Sequence, residues 1–259
     1  MALGSMRKGI ASSLIERAQG ERMPNRFAFR QVDQRDLATF FRDGEVRAKL
    51  HEDPQACHQT SHVHIVQRRN SDLVEMPHGG VVNDYVAFYL SPVTAFTYAI
   101  HQGSVVVLSP TANRLGMSDA SQRAFLVASV PTLFRNYPQV CFSNYALNTN
   151  VPLPVVVADQ SQFETHINWL HFDDTPRTAD IPEIGYEGVC RYFNSSPTPG
   201  PRHHRSTERM AELLVKNAVS ISDFCAIVLP TQRALIAAQA LARENGYQGV
   251  MVCRPECFI

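Results

Sequence analysis

Residues 64–103 read HIVQRRNSDLVEMPHGGVVNDYVAFYLSPVTAFTYAIHQG, and the order of their parts decides the fold. Arg68 and Arg69 open the stretch side by side. A guanidinium there is a rigid fork suited to a phosphate pair. Gly79 and Gly80 sit mid-way and would let backbone come close to a ligand. Asp84-Tyr85-Val86-Ala87-Phe88-Tyr89 follows, an aromatic run that predicts a strand. Ser91 as N-cap, Pro92 at the first helical position and Gly103 past the end predict a helix. Taken singly, an arginine pair is more often a solvated face and an aromatic run more often core. The order is more specific than any one piece.

Working outward, 259 residues with 44% apolar and 19% charged side chains describe a globular chain with room for one sizeable core. The formal net charge is zero, so a nucleic-acid partner has to be met by a local basic patch. The longest apolar stretch, Tyr85 to Ile100, is broken by Ser91, Pro92 and two threonines, so no membrane span is expected. No signal peptide is expected either. Gly4-Ser5-Met6 resembles a cloning scar, which makes residues 1–6 extraneous and 7–259 a single domain. Cys141, Cys225 and Cys253 lie in apolar contexts, as buried thiols do. Cys253 and Cys257 lack a second pair at zinc spacing, so no metal is expected. Cysteine usage fits a reducing, cytoplasmic setting.

Along the chain, residues 7–25 pattern as a short amphipathic helix and Arg26 to Val32 as a strand. Asp36 is placed to cap a helix carrying Leu37, Phe40 and Phe41, closed by Gly44. Residues 45–63 are polar, with His51, His58 and His62. Ser104 to Ser109 predicts a buried strand, Ala120 to Ala128 a helix, and Gln139 to Ser143 and Pro154 to Ala158 strands. Gln160 to Leu170 predicts a helix. Residues 171–207 turn to proline, glycine, serine and charge, a loop long enough to be disordered or functional. After it, Glu212 to Val215 and Ser222 to Leu229 predict strands, Gln232 to Asn245 a helix, and Gly249 to Cys253 a last strand.

The segments HIVQRRN, Gly79-Gly80 and DYVAFYLSPVTAFTYAI, in that order and at these gaps, resemble the DarT family of bacterial DNA ADP-ribosyltransferase toxins. ERMAELLV at 208–215 resembles the family's catalytic strand. The resemblance implies an α/β (α+β) ADP-ribosyltransferase fold, with a split, mostly antiparallel sheet and flanking helices. It implies NAD as co-substrate, held in a cleft between the halves of the sheet, and single-stranded DNA as acceptor. Glu212 takes the catalytic position, and Arg69 holds the pyrophosphate and helps handle the acceptor base. Arg30, Arg68, Asp84, Tyr85, Phe88 and Tyr98 are the further NAD candidates, with the core as the alternative place for the aromatic residues, Phe88 above all. The family usually carries a histidine where Arg30 stands. Arg30 either takes over a ribose or phosphate contact or is an exposed strand arginine.

The resemblance also makes residues 45–63 a flap over NAD and 171–207 the loop that reads the acceptor. Tyr192, Phe193, Arg202, His203, His204 and Arg205 would then meet DNA by stacking and phosphate contact, with Arg42, Arg47 and Lys49 as the other route. Breaking the nicotinamide–ribose bond develops a sugar cation, which a carboxylate such as Glu212 stabilises. Arg30, Ala87 and Val93 depart from the thymine-directed pattern, so guanine is the favoured acceptor base. A macrodomain antitoxin of the DarG type is the expected partner. The competing expectations are transfer to RNA or protein, and a nucleic-acid-binding module without catalysis. The neutral net charge and the pairing of Arg69 with Glu212 in the motif argue against the second.

Overall fold

The computed structural model describes residues 25–61 and 63–259. The segment expected to be scar (1–6), nearly all of the expected helix at 7–25, and His62 lie outside the described residues. From the amino end the chain forms β1 (Phe27–Asp33), α1 (Leu37–Asp43), β2 (Glu45–Arg47), β3 (Gln59–Thr60), α2 (Val63–Arg68), β4 (Tyr85–Tyr89) and α3 (Ala95–His101). It continues with β5 (Val106–Leu108), β6 (Arg114–Met117), β7 (Arg123–Ser129), α4 (Val130–Asn136), β8 (Val140–Ser143), β9 (Val156–Val157), α5 (Phe163–His166) and α6 (Leu170–Asp173). The last third adds β10 (Arg177–Thr178), β11 (Val189–Cys190), α7 (Arg205–Glu208), β12 (Glu212–Lys216), β13 (Ala218–Ser220), β14 (Phe224–Leu229), α8 (Gln232–Glu244) and β15 (Val250–Cys253).

An eight-stranded sheet runs in the order β15-β14-β7-β1-β4-β12-β8-β9. Its neighbours are antiparallel except for the β14–β15 pair. Strand β1 follows β7 in unbroken register from Phe27↔Ser129 to Asp33↔Arg123. Strand β4 follows β12 from Tyr89↔Glu212 to Tyr85↔Lys216. Between β1 and β4 the register holds only at Phe29↔Tyr89. The sheet therefore forks there, which is the expected split, mostly antiparallel core with flanking helices. The core runs through both halves: Phe29, Phe125, Phe142, Leu213, Phe224 and Ile227 are all about fully buried, at 0 or 1% exposure. Each such side chain contributes roughly 1.5–3 kcal/mol of burial. Among the described residues no helix is long and apolar enough to cross a membrane.

Several local expectations are corrected. Residues 123–129 are not helical: RAFLVAS is the central strand β7, buried on both faces, so it carries no alternation to betray it. The helix expected at 160–170 breaks into a 3-10 turn, α5 and α6. The helix after Ser91 starts only at Ala95, because Thr94 accepts from the Thr97 N–H and is the true cap. Asp36 makes no side-chain cap to α1, since its carboxylate instead accepts from the His58 backbone and meets the His58 ring. The strand at 104–109 shrinks to Val106–Leu108 and sits in a separate three-stranded sheet, β3-β5-β6.

Candidate active site

The forked strands leave a cavity of about 510 Å³ between them. Arg30 to Asp33 of β1 and Tyr85 to Tyr89 of β4 form its two walls, residues 47–49 and 55–61 cover it, and Arg69 and Glu212 lie within it. Five Lys or Arg side chains (30, 47, 49, 69, 123) line it against three carboxylates (33, 36, 212). A chain of zero net charge thus concentrates positive charge in this cleft.

The centre of the site is one ion pair. Arg69 Nη1 donates to Glu212 Oε1 and Nη2 to Glu212 Oε2, both at 2.8 Å. Sequence separation is overcome by the sheet: β4 and β12 pair Tyr89 with Glu212, and Arg69 stands at the end of α2 over that row. Its backbone is pinned, the N–H donating to Ile65 O at 3.0 Å and the carbonyl accepting from Asn83 N at 3.2 Å. The Glu212 N–H donates to Ser143 Oγ at 3.0 Å. Burial pulls the Arg69 guanidinium down, but the Glu212 carboxylate outweighs it and holds it above the ordinary arginine value. Burial and then the Glu212 charge push the neighbouring Tyr89 phenol up, so Tyr89 stays a neutral donor. Two of the five arginine N–H donors are used, and each carboxylate oxygen keeps a lone pair. Glu212 can therefore accept from a further hydroxyl without releasing Arg69.

Arg30 lies across the fork. Its Nη1 donates to Ala87 O at 3.0 Å, its Nε is buried without a partner, and among the described residues no carboxylate forms an ion pair with it. Burial, and after it the Arg69 charge, hold Arg30 below the usual arginine value despite opposing pulls from Cys57, Glu212 and Asp36. At the other end Arg123 is buried, donating to Thr60 Oγ1 at 2.8 Å and lying 3.5 Å from Asp33. Its value drops to about 10, through burial first. Asp33 is also held by Arg35 at 2.7 Å. Burial, then the charge of Asp36, push the Cys57 thiol up to about 12, so this cleft cysteine is no nucleophile. The covering segment is not loose. Arg47 pairs with Glu45 at 2.7 Å, Gln55 ties to Glu45 and Asp43, and His58 Nδ1 meets Asp36 at 2.6 Å. Among the described residues no group of three or more His, Cys, Asp or Glu is placed to hold a metal.

Of the expected cofactor residues, Arg30, Arg69, Tyr85 and Phe88 border the cleft and Arg68, Asp84 and Tyr98 do not. Arg68 turns aside to donate to Thr149 O at 3.0 Å. Asp84 Oδ2 accepts from Val81 N at 2.7 Å, and the room for it comes from Gly80, where a Cβ would overlap that oxygen. The glycine pair, both at positive φ, thus shapes a turn and does not line the cleft. Phe88 is 1% exposed and packs on Phe224, and beside Tyr85 the cleft is lined by Tyr89 and Phe96, which were missed in the sequence. The alternation along β4 is the signal that was available: Ala87 and Tyr89 are half-buried, while Val86 and Phe88 are fully inside. Tyr98 is 44% exposed on the outer face of α3 and packs on Phe193 at 5.4 Å.

The 171–207 segment is also ordered by internal ties. Arg202 and Arg205 both meet Asp174 Oδ2 at 2.7 Å, but the Arg205 side chain is only 5% exposed. Arg205 is therefore corrected from a phosphate contact to an anchor of the segment. Tyr192, Arg202, His203 and His204 are exposed, and Phe193 is half-buried. Glu208, at the start of the ERMAELLV motif, accepts from Asn168 at 2.6 Å and Tyr145 at 3.1 Å and lies 2.8 Å from the buried His171.

A family model described as "ssDNA thymidine ADP-ribosyltransferase, DarT" matches residues 36–259. A DNA ADP-ribosyl transferase of Thermus sp. (strain 2.9) is 36% identical over 69 residues, an alignment that spans 27% of this chain and 32% of that protein. The fold is similar to that of Thermus sp. 2.9 DarT in complex with ADP-ribosylated ssDNA, with a TM-score of 0.70 at 18% identity, covering 91% of this chain and 97% of the other. The same protein in complex with NAD+ gives a TM-score of 0.65 at 18% identity, covering 91% and 98%.

Proposed function

This chain belongs to the DarT family of NAD-dependent DNA ADP-ribosyltransferases, and from that premise we propose that its forked-sheet cleft moves ADP-ribose from NAD to a base of single-stranded DNA and releases nicotinamide. The observation that carries the proposal is the bidentate Arg69–Glu212 pair, 2.8 Å on each arm, lying in a cleft with excess positive charge. The bond between the ribose and the nicotinamide nitrogen breaks, and its electron pair leaves with nicotinamide. A base nitrogen supplies the pair that forms the new bond, and the proton it sheds passes to Glu212 or to solvent. Glu212, held in place by Arg69, accepts from a ribose hydroxyl and opposes the sugar cation. Arg30 and the free N–H groups of Arg69 face the pyrophosphate. The segment 45–63 acts as the flap that keeps water, the competing acceptor, out, with its described part at 47–61 over the cleft. The whole of 7–259 acts as one catalytic domain, with 171–207 as the acceptor-reading segment.

For the base, guanine is favoured over thymine. Two of the three departures from the thymine-directed pattern touch each other, Arg30 donating to the Ala87 carbonyl inside the cleft. The family model's description names thymidine, so the base is open to direct test. The protein is incubated with NAD and single-strand oligonucleotides that differ in one base, and intact masses are read. An ADP-ribosyl increment confined to guanine-containing strands supports the assignment. An increment on thymine alone overturns the base preference, and no increment on any strand overturns the proposed activity. The family partner, a DarG-type macrodomain in the cytoplasm, should reverse the increment when added to the modified strand.

A further inference from the structure

We infer that Tyr98, His101, Arg191 and Tyr192 form a stacking platform for the single strand outside the cleft, an inference that rests on the proposed DNA acceptor. Tyr98 is 44% exposed and Tyr192 53%. The His101 ring lies near-parallel to Tyr98, 27° apart with centroids at 6.4 Å. Phe193 packs under Tyr98 at 5.4 Å. The Arg191 guanidinium stands 5.7 Å from the Tyr192 ring centre. Base faces stack on exposed aromatic rings whatever the sequence.

Charge selects the occupant. No Asp or Glu occurs from residue 85 to 118, nor from 188 to 207. These are the two segments that carry the four side chains. A polyanion therefore meets cations and rings here, with no carboxylate in either segment to repel it.

The platform is fixed to the catalytic strand. Arg209, fully buried, donates through Nη1 to Cys190 O at 2.9 Å and Tyr192 O at 3.3 Å. Through Nη2 it donates to Val93 O at 2.6 Å, just before the α3 cap. One side chain thus joins the Tyr192 segment to the root of the Tyr98 helix, three positions before Glu212. Rings held this way lose little further entropy when a base stacks on them.

The test uses fluorescence anisotropy of a labelled single strand with the full chain. Tyr98→Ala and Tyr192→Ala should each weaken binding at least about fivefold, the low end for a lost base stack. Tyr98→Trp and Tyr192→Trp keep a ring and should keep affinity, which separates stacking from misfolding. Abasic sites in the strand should weaken the parent protein and leave the double alanine variant little affected. If the parent binds the strand and both alanine variants match it, the platform is wrong, and the rings belong to some other partner. If the parent binds no single strand, the DNA reading itself has failed.

Discussion

Replacing Glu212 by glutamine tests the site through two independent readouts. The pair it breaks is nearly enclosed, with side-chain exposures of 16% for Arg69 and 5% for Glu212. The amide keeps the shape but sets an NH2 group against one arginine nitrogen and removes the charge that holds the guanidinium up. Removing one partner of a buried pair costs about 3–5 kcal/mol, and the solvent reaching Arg69 trims this to about 3. For a chain of this size that is a fall in melting temperature of roughly 6–12 °C. Transfer should fall further, by at least about 10²–10³, because the lost charge acts on a cation that exists only in the transition state. The double variant Arg69→Met/Glu212→Leu separates the two effects. An apolar pair of similar volume should restore most of the stability, as buried ion pairs are often no better than packed side chains, and should leave no transfer activity. The assay is thermal unfolding by circular dichroism beside oligonucleotide mass shift. A Glu212→Gln protein that melts like the parent and transfers near-normally would refute the reasoning.

Three further outcomes follow from named contacts. Gly80→Ala puts a methyl against Asp84 Oδ2 at φ +78°, so it should lose about 1–3 kcal/mol in chemical denaturation, whereas Gly79→Ala, with open space at its Cβ, should bear only the φ strain. Arg205→Ala removes a buried partner of Asp174 and should cost about 2–4 kcal/mol, while Arg202→Ala, 57% exposed, should stay within about 1; equal losses would contradict the anchor role. Asp33, though raised by burial, is held by Arg35 and then Arg123 below its ordinary value of 3.8. Its folded value is depressed, so its contribution is complete above that pH and is lost as pH falls through lower values. The acid limb of the parent below about pH 3.8 should be flattened in Asp33→Asn, seen by unfolding midpoints across pH, and an unchanged limb would remove Asp33 from the account.

How much of this was legible in the sequence depends on which force placed each residue. That Arg69 and Glu212 share one cleft was legible because a family motif carries both, and the strand at Glu212 because Leu213-Leu214-Val215 is an apolar run. Gly44 was legible because a left-handed close is a local requirement, met at φ 71°. Strand β7 was not, since two-sided burial removes the period that marks a strand. Tyr98 was misplaced for a related reason. The apolar run at 95–100 does not mark which face of α3 meets the cleft, and there Phe96 lines it while Tyr98 is 44% exposed. Arg205 was misread because composition marks a cationic cluster but does not reveal that Asp174, thirty-one residues earlier, neutralises it.

The fork itself explains why the site lies where it does. Two strands that stay side by side satisfy each other's backbone groups and leave no room. Strands β1 and β4 part after Phe29↔Tyr89, and the chain fills the gap only in part, with one bond from Arg30 to the Ala87 carbonyl. Buried polar atoms normally find partners. Here Arg30 Nε, both amide atoms of Gln31 and Arg123 Nε have none, and all three residues line the same cleft. Buried donors and acceptors without partners cost stability. In the proposed reading these are the groups that the phosphate and hydroxyl oxygens of NAD would meet. The fork and the proposed dinucleotide site are thus one feature, because the side chains left without partners where the strands part are those the proposed ligand would meet.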